Sequence, residues 1–356
     1  MDDPYLDPRT HVLRNKGGKA TLSELLKWES ELTHARLIEL DEKPLPGRFD
    51  LPHLQAIHKY IFQDVYAWAG ELRTINAPKI DLEGRGATHF TSVGNLPEEA
   101  KAVFDQLSKD NHLQGASREV FIEKGARLLA DINHLHCFRE GNGRTQKCFL
   151  EHLARYTGHS LDFSLVSEAR MIEASMTAER HDYAPMRHIF DDLSDSAKSR
   201  QLSKAIGFFE QTGYNWKDRE VACVQAGTSY ACVFVDRGGN DMLFHDGQQG
   251  IWIGHYEDVG RELKPGEQFS YTALSEMERW ERTSVEMIKA DLASGIPPEQ
   301  IVTTLAQWQS ERGNKEFFRG LVERAMTPEQ KAQWHHDKTV EMPSAKLKQT
   351  PPRRSH

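Results

Sequence analysis

No stretch of this chain is apolar for long enough to cross a membrane. Its first residues, Met1, Asp2, Asp3 and Pro4, have neither the basic start nor the apolar core of a signal peptide. Cysteine is scarce: four residues, Cys137, Cys148, Cys223 and Cys232, show no metal spacing and no disulfide framework. Positive charge is not in excess either. The formal net charge is -8, which argues against general binding to nucleic acid or to a membrane surface. Together these absences predict a soluble protein made in a reducing cytoplasm, with export by a signal-less route left open. What remains is ordinary globular material, 38% hydrophobic and 28% charged in 356 residues. That is enough for two or three domains with a sizeable core.

One stretch stands apart. From His136 to Lys147 the chain reads His-Cys-Phe-Arg-Glu-Gly-Asn-Gly-Arg-Thr-Gln-Lys, crowding acid, base, glycine and cation types that core packing does not ask for. An apolar helical run precedes it (Val120, Phe121, Ala126, Leu128, Leu129, Ile132). A second helix is expected from Asn142 to Tyr156, with Cys148, Phe149, Leu150 and Leu153 apolar and Gly158 as its stop. The stretch is therefore a loop feeding a helix N-terminus, where unpaired N–H groups and the positive end of the macrodipole attract phosphate. Gly141 and Gly143 let the backbone approach an anion and take positive φ where needed. Arg144 and Lys147, three apart, share a helical face and can reach the same anion. Glu140 suits a hard cation such as Mg²⁺ bridging phosphate oxygens. His136 can accept a proton from an attacking hydroxyl. The reading is a nucleotide phosphate site with its own base.

The segment resembles the Fic-family motif His-Pro-Phe-x-Asp/Glu-Gly-Asn-Gly-Arg-x-x-Arg, whose members mostly transfer AMP from ATP to a hydroxyl side chain of another protein. The resemblance implies His136 as general base, Phe138 as the core anchor of the loop and Glu140 as the Mg²⁺ ligand. It implies Gly141, Asn142 and Gly143 as the hole for the α- and β-phosphates, Arg144 on the phosphate tail, and Lys147 where the second motif arginine meets the γ-phosphate. Two positions depart from the pattern. Cys137 replaces proline, which removes a φ restriction but no chemical group. Lys147 replaces arginine, trading a bidentate fork for a point charge.

Two further segments resemble the family: His11-Val-Leu-Arg-Asn-Lys-Gly-Gly18, near the nucleotide base in Fic proteins, and Tyr66-Ala-Trp-Ala-Gly-Glu-Leu-Arg73. Tyr66 and Trp68 are read as core aromatics. Thr74 to Ser92, with Pro78 and a Glu-Gly-Arg-Gly turn, is expected to be a β-hairpin. In the family that hairpin is the flap, which docks a target segment by strand addition, and Lys79, Ile80 and Asp81 are the docking candidates.

The remaining chain sets the domain scheme. A capping box at Thr21 and Glu24 opens one helix, and Asp50 caps another whose Leu51, Leu54, Ile57, Ile61 and Val65 share a face. Further helices are expected over Pro97 to Leu113, Ser117 to Asn133, Ser167 to Glu179 and Pro185 to Ser194. A mainly helical Fic bundle with its flap is thus expected over 1–200. A small β domain, plausibly OB-like, is expected over 201–273, from short strands near Glu220, Tyr230, Met242, Gly250 and Gln268. A helical region follows over 274–341, with Trp280, Met287, Ile301, Leu305 and Trp308 as its apolar stripe, and then a disordered basic tail over 342–356.

The leading functional reading is a protein adenylyltransferase using Mg·ATP, acting on a tyrosine, threonine or serine hydroxyl of a target protein, as a toxin or a secreted effector. A degenerate Fic domain serving as a binding module, or a Fic phosphotransferase with another donor, are the alternatives. Many Fic proteins carry a self-inhibitory Ser/Thr-x-x-x-Glu-Gly/Asn helix. The pattern is missing here, so a separate small inhibitor protein is expected. No nucleic-acid or membrane partner is expected.

Overall fold

Capping chemistry starts the first helices. In α1 (Leu22–Glu42) the Thr21 hydroxyl accepts the Glu24 N–H while the Glu24 carboxylate accepts the Thr21 N–H, at 3.3 and 3.2 Å. In α2 (Leu51–Phe62) the Asp50 carboxylate accepts the His53 N–H at 2.9 Å, and Leu54, Ile57 and Ile61 are fully buried as their spacing predicts. Burial of each such side chain contributes about 1.5–3 kcal/mol. The computed structural model describes residues 3–76, 79–80, 87–88, 90–247, 250–308 and 315–340. Asp81, the Glu-Gly-Arg-Gly turn and the expected basic tail lie outside the described residues.

A two-stranded hairpin follows. β1 (Lys79–Ile80) runs antiparallel to β2 (Ala87–Thr88), with Lys79 opposite Thr88 and Ile80 opposite Ala87. Then come α3 (Leu96–Lys109), α4 (Arg118–Leu135) and α5 (Asn142–Tyr156), whose Phe149, Leu150 and Leu153 are fully buried. Helices α6 (Glu168–Glu179) and α7 (Ala184–Ser194) match the expected positions. Helix α8 (Ser196–Thr212) was not anticipated, although Asp195 caps its N-terminus and Gly213 closes it in the left-handed region. The expected boundary at 200/201 falls inside it.

Five strands follow where short β-type runs were expected: β3 (Glu220–Cys223), β4 (Ser229–Gly238), β5 (Asp241–His245), β6 (Gly250–His255) and β7 (Gln268–Thr272). Their order in the sheet is β3-β6-β5-β4-β7. The β3–β6 pair is parallel and the β4–β5 and β5–β6 pairs are antiparallel. A buried charge cluster pins β3 to the helices. Arg170 of α6 donates to Asp192 of α7 at 2.8 Å and to the Val221 carbonyl at 3.1 Å, while Asp192 accepts the Cys223 N–H at 3.1 Å. Because Arg170 and Asp192 are at most 3% exposed, each would be costly to bury without the other.

The described residues form two compact units, one within 3–224 and 230–270 and the other within 225–229 and 271–340. The second holds α9 (Glu276–Ala293), α10 (Pro298–Trp308), α11 (Lys315–Ala325) and α12 (Pro328–Val340) around its own core of Ile288, Ile301, Val302, Phe318, Leu321, Val322 and Trp334. Trp280 and Leu305 pack against that core. Met287 does not: it is 65% exposed, because one residue of the expected stripe falls on the outer face of α9. All four cysteines are buried and free.

Candidate active site

The site begins where α4 ends. His136 caps that helix in the left-handed conformation (φ 47°, ψ 58°), its N–H bonded to the Ile132 carbonyl at 3.2 Å. A helix C-terminus leaves carbonyls without partners, and here one buried side chain collects them. Arg73, 2% exposed, donates from Nε to the His136 carbonyl at 2.7 Å and from Nη2 to the Leu135 carbonyl at 3.2 Å. Its Nη2 also reaches the Thr91 carbonyl, Nη1 the Ile75 carbonyl at 3.0 Å, and its backbone N–H the Cys137 carbonyl at 2.9 Å. Thr91 N–H in turn bonds the His134 carbonyl at 3.0 Å. The Phe90 ring stacks on the His136 imidazole, 3.7 Å between centroids and 15° between planes. Both stems of the β1–β2 hairpin are thus tied to the turn that carries His136.

The glycine loop comes next, and its two glycines differ. Gly141 has φ 82°, and a Cβ there would stand 2.2 Å from Cζ of Phe62, so no other residue fits. Gly143 lies in α5, and a Cβ on it would meet nothing within 4 Å. Asn142 turns its side chain inward. Its Oδ1 accepts the Phe138 N–H at 2.9 Å and its Nδ2 donates to the Phe138 carbonyl at 2.7 Å, so the amide closes the loop and leaves only the backbone for an anion. The N–H groups of Asn142, Gly143 and Arg144 have no partner among the described residues, whereas Thr145 N–H is the first to bond back, to Gly141 at 3.2 Å. Three unpaired donors at a helix start are what an anion site requires.

Glu140 stands at the loop's mouth, its side chain 44% exposed, with Oε1 accepting the Gly141 N–H at 2.8 Å and lying 3.6 Å from Arg144 Nη2. Its carbonyl is held by His58. The His58 ring accepts the Gly70 N–H on Nδ1 (2.8 Å), so Nε2 carries the proton and donates to the Glu140 carbonyl (3.0 Å). Burial pulls the His58 pKa down to about 4, which keeps the ring neutral, and it stacks on Phe138 at 3.8 Å. Phe138 is 1% exposed, the anchor its motif position implies.

Arg144 does not reach out into solvent. Its guanidinium bonds Glu29 and the Thr33 hydroxyl of α1 and lies 4.7 Å from the centre of the Phe62 ring. Lys147 lines a cavity of about 270 Å³ together with Arg144, Cys148, Glu151, His152 and Asp162. Burial lowers its pKa, while Glu151 and Glu168 oppose that shift. Cys137 is buried and its thiol is pushed up to about 12, so it is inert at neutral pH. Lys79 and Ile80 sit on β1.

Residue reasoning missed four supports of this site: Arg73, His58, Phe90 and Glu29. The signal for Glu29 was present, since Leu25, Glu29 and Thr33 recur at four-residue spacing along the buried stripe of α1. A carboxylate on an apolar stripe calls for a cation. His58, four residues after Leu54 and three before Ile61, stands on the buried face of α2 in the same way.

Known proteins resemble this chain. The Fic/DOC family model matches residues 48–154. A protein adenylyltransferase of Bartonella henselae is 34% identical over 320 residues, 84% of this chain and 58% of that protein. The chain therefore spans little more than half the length of that relative. The solved structure of the type IV secretion system effector protein BepA matches with a TM-score of 0.69 at 33% identity, covering 76% of this chain and 96% of that one. A structure of the effector BepC from Bartonella tribocorum, with bound AMPPNP, matches at 28% identity and a TM-score of 0.51, covering 55% of this chain and 98% of that one. With the family model matched over residues 48–154 and the BepA structure matched at 33% identity over 96% of its length, this chain belongs to the Fic/DOC family.

Proposed function

We propose that the chain is a protein adenylyltransferase that moves AMP from ATP to a tyrosine, threonine or serine hydroxyl of another protein. The observation that carries this reading is the set of three N–H groups at the start of α5 without a partner among the described residues, directly after the turn that holds the His136 ring. In this reading the acceptor hydroxyl gives its proton to His136 as its oxygen bonds to the α-phosphorus. The α–β anhydride bond breaks, and pyrophosphate leaves. The N–H groups of Asn142, Gly143 and Arg144 stabilise charge on the phosphates without reorganising. The αL turn and the hairpin stems keep the base in line with them. Lys147 is proposed at the terminal phosphate, and Lys79, Ile80 and Asp81 at the target strand.

Glu140 fits Mg²⁺. Its second oxygen has no partner among the described residues, and no cluster of three or more ligand side chains occurs among them. Mg²⁺ is characteristically held by one or two carboxylates plus substrate phosphates. When bound it would spread the phosphate charge; Glu140 would hold it, and Arg144 beside Glu140 would share the load. The relatives' names support an adenylyl donor, and the AMPPNP in BepC supports a nucleotide triphosphate.

A secreted effector or toxin role, held in check by a separate small inhibitor, is proposed from those names and from the missing inhibitory pattern. No helix among the described residues is long and apolar enough to cross a membrane. The domain scheme with an OB-like β region belongs to the same proposal.

The test is label transfer from ATP labelled at the α- or the γ-phosphate into lysate proteins, with Mg²⁺, by the parent protein and by His136→Ala. Label from the α position only, lost in the variant, is the expected result. Label from the γ position would replace the reading with phosphotransfer. Label from neither, at any lysate, would refute it.

A further inference from the structure

Arg144 is fixed from behind before any nucleotide arrives. Glu29, 4% exposed on α1, places one carboxylate oxygen on Arg144 Nη2 and the other on the Tyr66 hydroxyl. Thr33, one turn further along α1, donates its hydroxyl to the Glu29 carbonyl at 2.8 Å and accepts Arg144 Nη1 at 3.2 Å. The guanidinium also lies over Phe62. Tyr66 is itself immobile: 1% exposed and stacked on Trp68 at 4.3 Å between centroids. Both Glu29 oxygens are therefore spoken for, on a helix anchored by its capping box. Such a carboxylate cannot swing away with the arginine or follow it outward. The free side of the guanidinium faces Glu140, 3.6 Å away, at the mouth of the anion loop, and the side chain remains 32% exposed.

A free arginine side chain samples many rotamers, and ordering it on binding costs affinity. We propose that Glu29 is a positioning residue for nucleotide binding: with Tyr66 and Thr33 behind it, it presets the Arg144 guanidinium to meet the phosphate chain beside the α5 N-terminus. The inference rests on the adenylyltransferase reading, which supplies a nucleotide with a phosphate tail. Glu29 touches no substrate. It acts through Arg144, and it should therefore matter for phosphates and not for the nucleoside.

The experiment measures binding of ATP and of adenosine to the full chain by calorimetric titration, for the parent, Glu29→Gln and Tyr66→Phe. The glutamine keeps the shape and one acceptor but loses the charge that locks the arginine. Glu29→Gln should weaken ATP about tenfold and Tyr66→Phe about threefold, with adenosine affinity unchanged in both. Equal losses for ATP and adenosine, or a lowered melting temperature with ATP affinity retained, would assign Glu29 a structural role and overturn the proposal. Tighter ATP binding would also overturn it, because Glu29 would then be restraining Arg144 from the phosphates. If Glu29→Gln loses its helical circular dichroism, Tyr66→Phe decides alone, and unchanged ATP affinity there is fatal. A parent that binds no ATP would sink the functional reading and this inference with it, a result distinct from a parent that binds ATP as tightly as its variants do.

Discussion

Replacing Arg73 by methionine tests whether the His136 turn is held by the carbonyls that Arg73 collects. The side chain serves four acceptors, the carbonyls of Ile75, Thr91, Leu135 and His136. Burial depresses its pKa, opposed by the neighbouring Cys137 and Tyr5. The four carbonyls also offset the buried charge, and two of them lie at the negative end of the α4 dipole. Methionine fills much of the same volume and supplies no donor. Each orphaned buried carbonyl costs about 1–3 kcal/mol. Four at the low end give about 4 kcal/mol, reduced to about 3 kcal/mol because the cation's own desolvation is relieved. A domain stable by about 5–15 kcal/mol survives that loss.

The effect on activity should be larger than the effect on folding. A non-glycine residue in the αL region stores about 1–3 kcal/mol of strain and stays there only while its surroundings insist. Without Arg73 the His136 backbone is free to relax, and on the proposed reading the base would then leave the line of the acceptor hydroxyl. Urea unfolding followed by circular dichroism reads the first effect, and AMP transfer with ATP titrated reads the second. A fall in kcat of about a hundredfold with KM for ATP changed less than threefold is expected. Arg73→Lys, which keeps the charge but reaches fewer acceptors, should fall between. Stability within about 0.5 kcal/mol of the parent, together with unchanged kcat, would refute the reasoning.

The two glycines of the loop should part company. Gly141→Ala meets Phe62 at 2.2 Å in a positive-φ position and should lose about 3 kcal/mol or more of stability in thermal melts. Gly143→Ala meets nothing and sits in a helix, so its stability should stay within about 1 kcal/mol of the parent while its gain in melting temperature with added ATP shrinks. Glu151 predicts a pH dependence. Burial lifts its carboxyl to about 7, above the about 4.3 of an unfolded chain, so the native state holds an extra proton between those values. Stability attributable to this group should fall as pH rises from about 4.5 to about 7 and stay level beyond. Glu151→Gln keeps the acceptor for the Phe163 N–H (3.0 Å) and should stabilise the protein at pH 8 by as much as about 3 kcal/mol. Little gain is expected at pH 4.5, and urea melts at the two pH values measure the difference.

The sequence was most legible where chemistry and periodicity coincide. Asn142 to Tyr156 reads as a helix because its apolar positions repeat and its start is rich in glycine, and the helix has those bounds. Short strands near Glu220, Met242 and Gly250 were readable from β-branched and aromatic runs between turns. α8 was overlooked, although Leu202, Ala205, Ile206 and Phe209 recur at i, i+3, i+4 and i+7 on its buried face and Asp195 and Gly213 mark its two ends. Within the site, residue type showed which groups were present and not which way they point. Asn142 could serve a phosphate or the loop equally well, and only its two bonds to Phe138 assign its amide to the loop. Lys147 carries the right charge at the right spacing, yet it lines a cavity with Glu151 and Cys148, a placement set by contacts from α1 and the Asp162 turn that no local pattern encodes.

Cys137 shows how such long-range supports substitute for local ones. In the motif that this chain resembles, a proline at this place would fix φ by ring closure. Here the neighbouring backbone is fixed from outside. Three successive carbonyls, of Leu135, His136 and Cys137, accept from Nη2, Nε and the backbone N–H of Arg73. The next residue, Phe138, is closed on both its N–H and its carbonyl by Asn142. The carbonyls of four consecutive residues thus all accept hydrogen bonds, and the restriction a proline would impose at one torsion is spread over several of them. That arrangement also makes the turn depend on β1–β2 stems that are themselves bonded to Arg73, through Ile75 and Thr91. On the proposed reading, a target strand pairing with the hairpin would therefore pull on the same residue that holds the His136 turn, and docking and proton transfer would share one mechanical support.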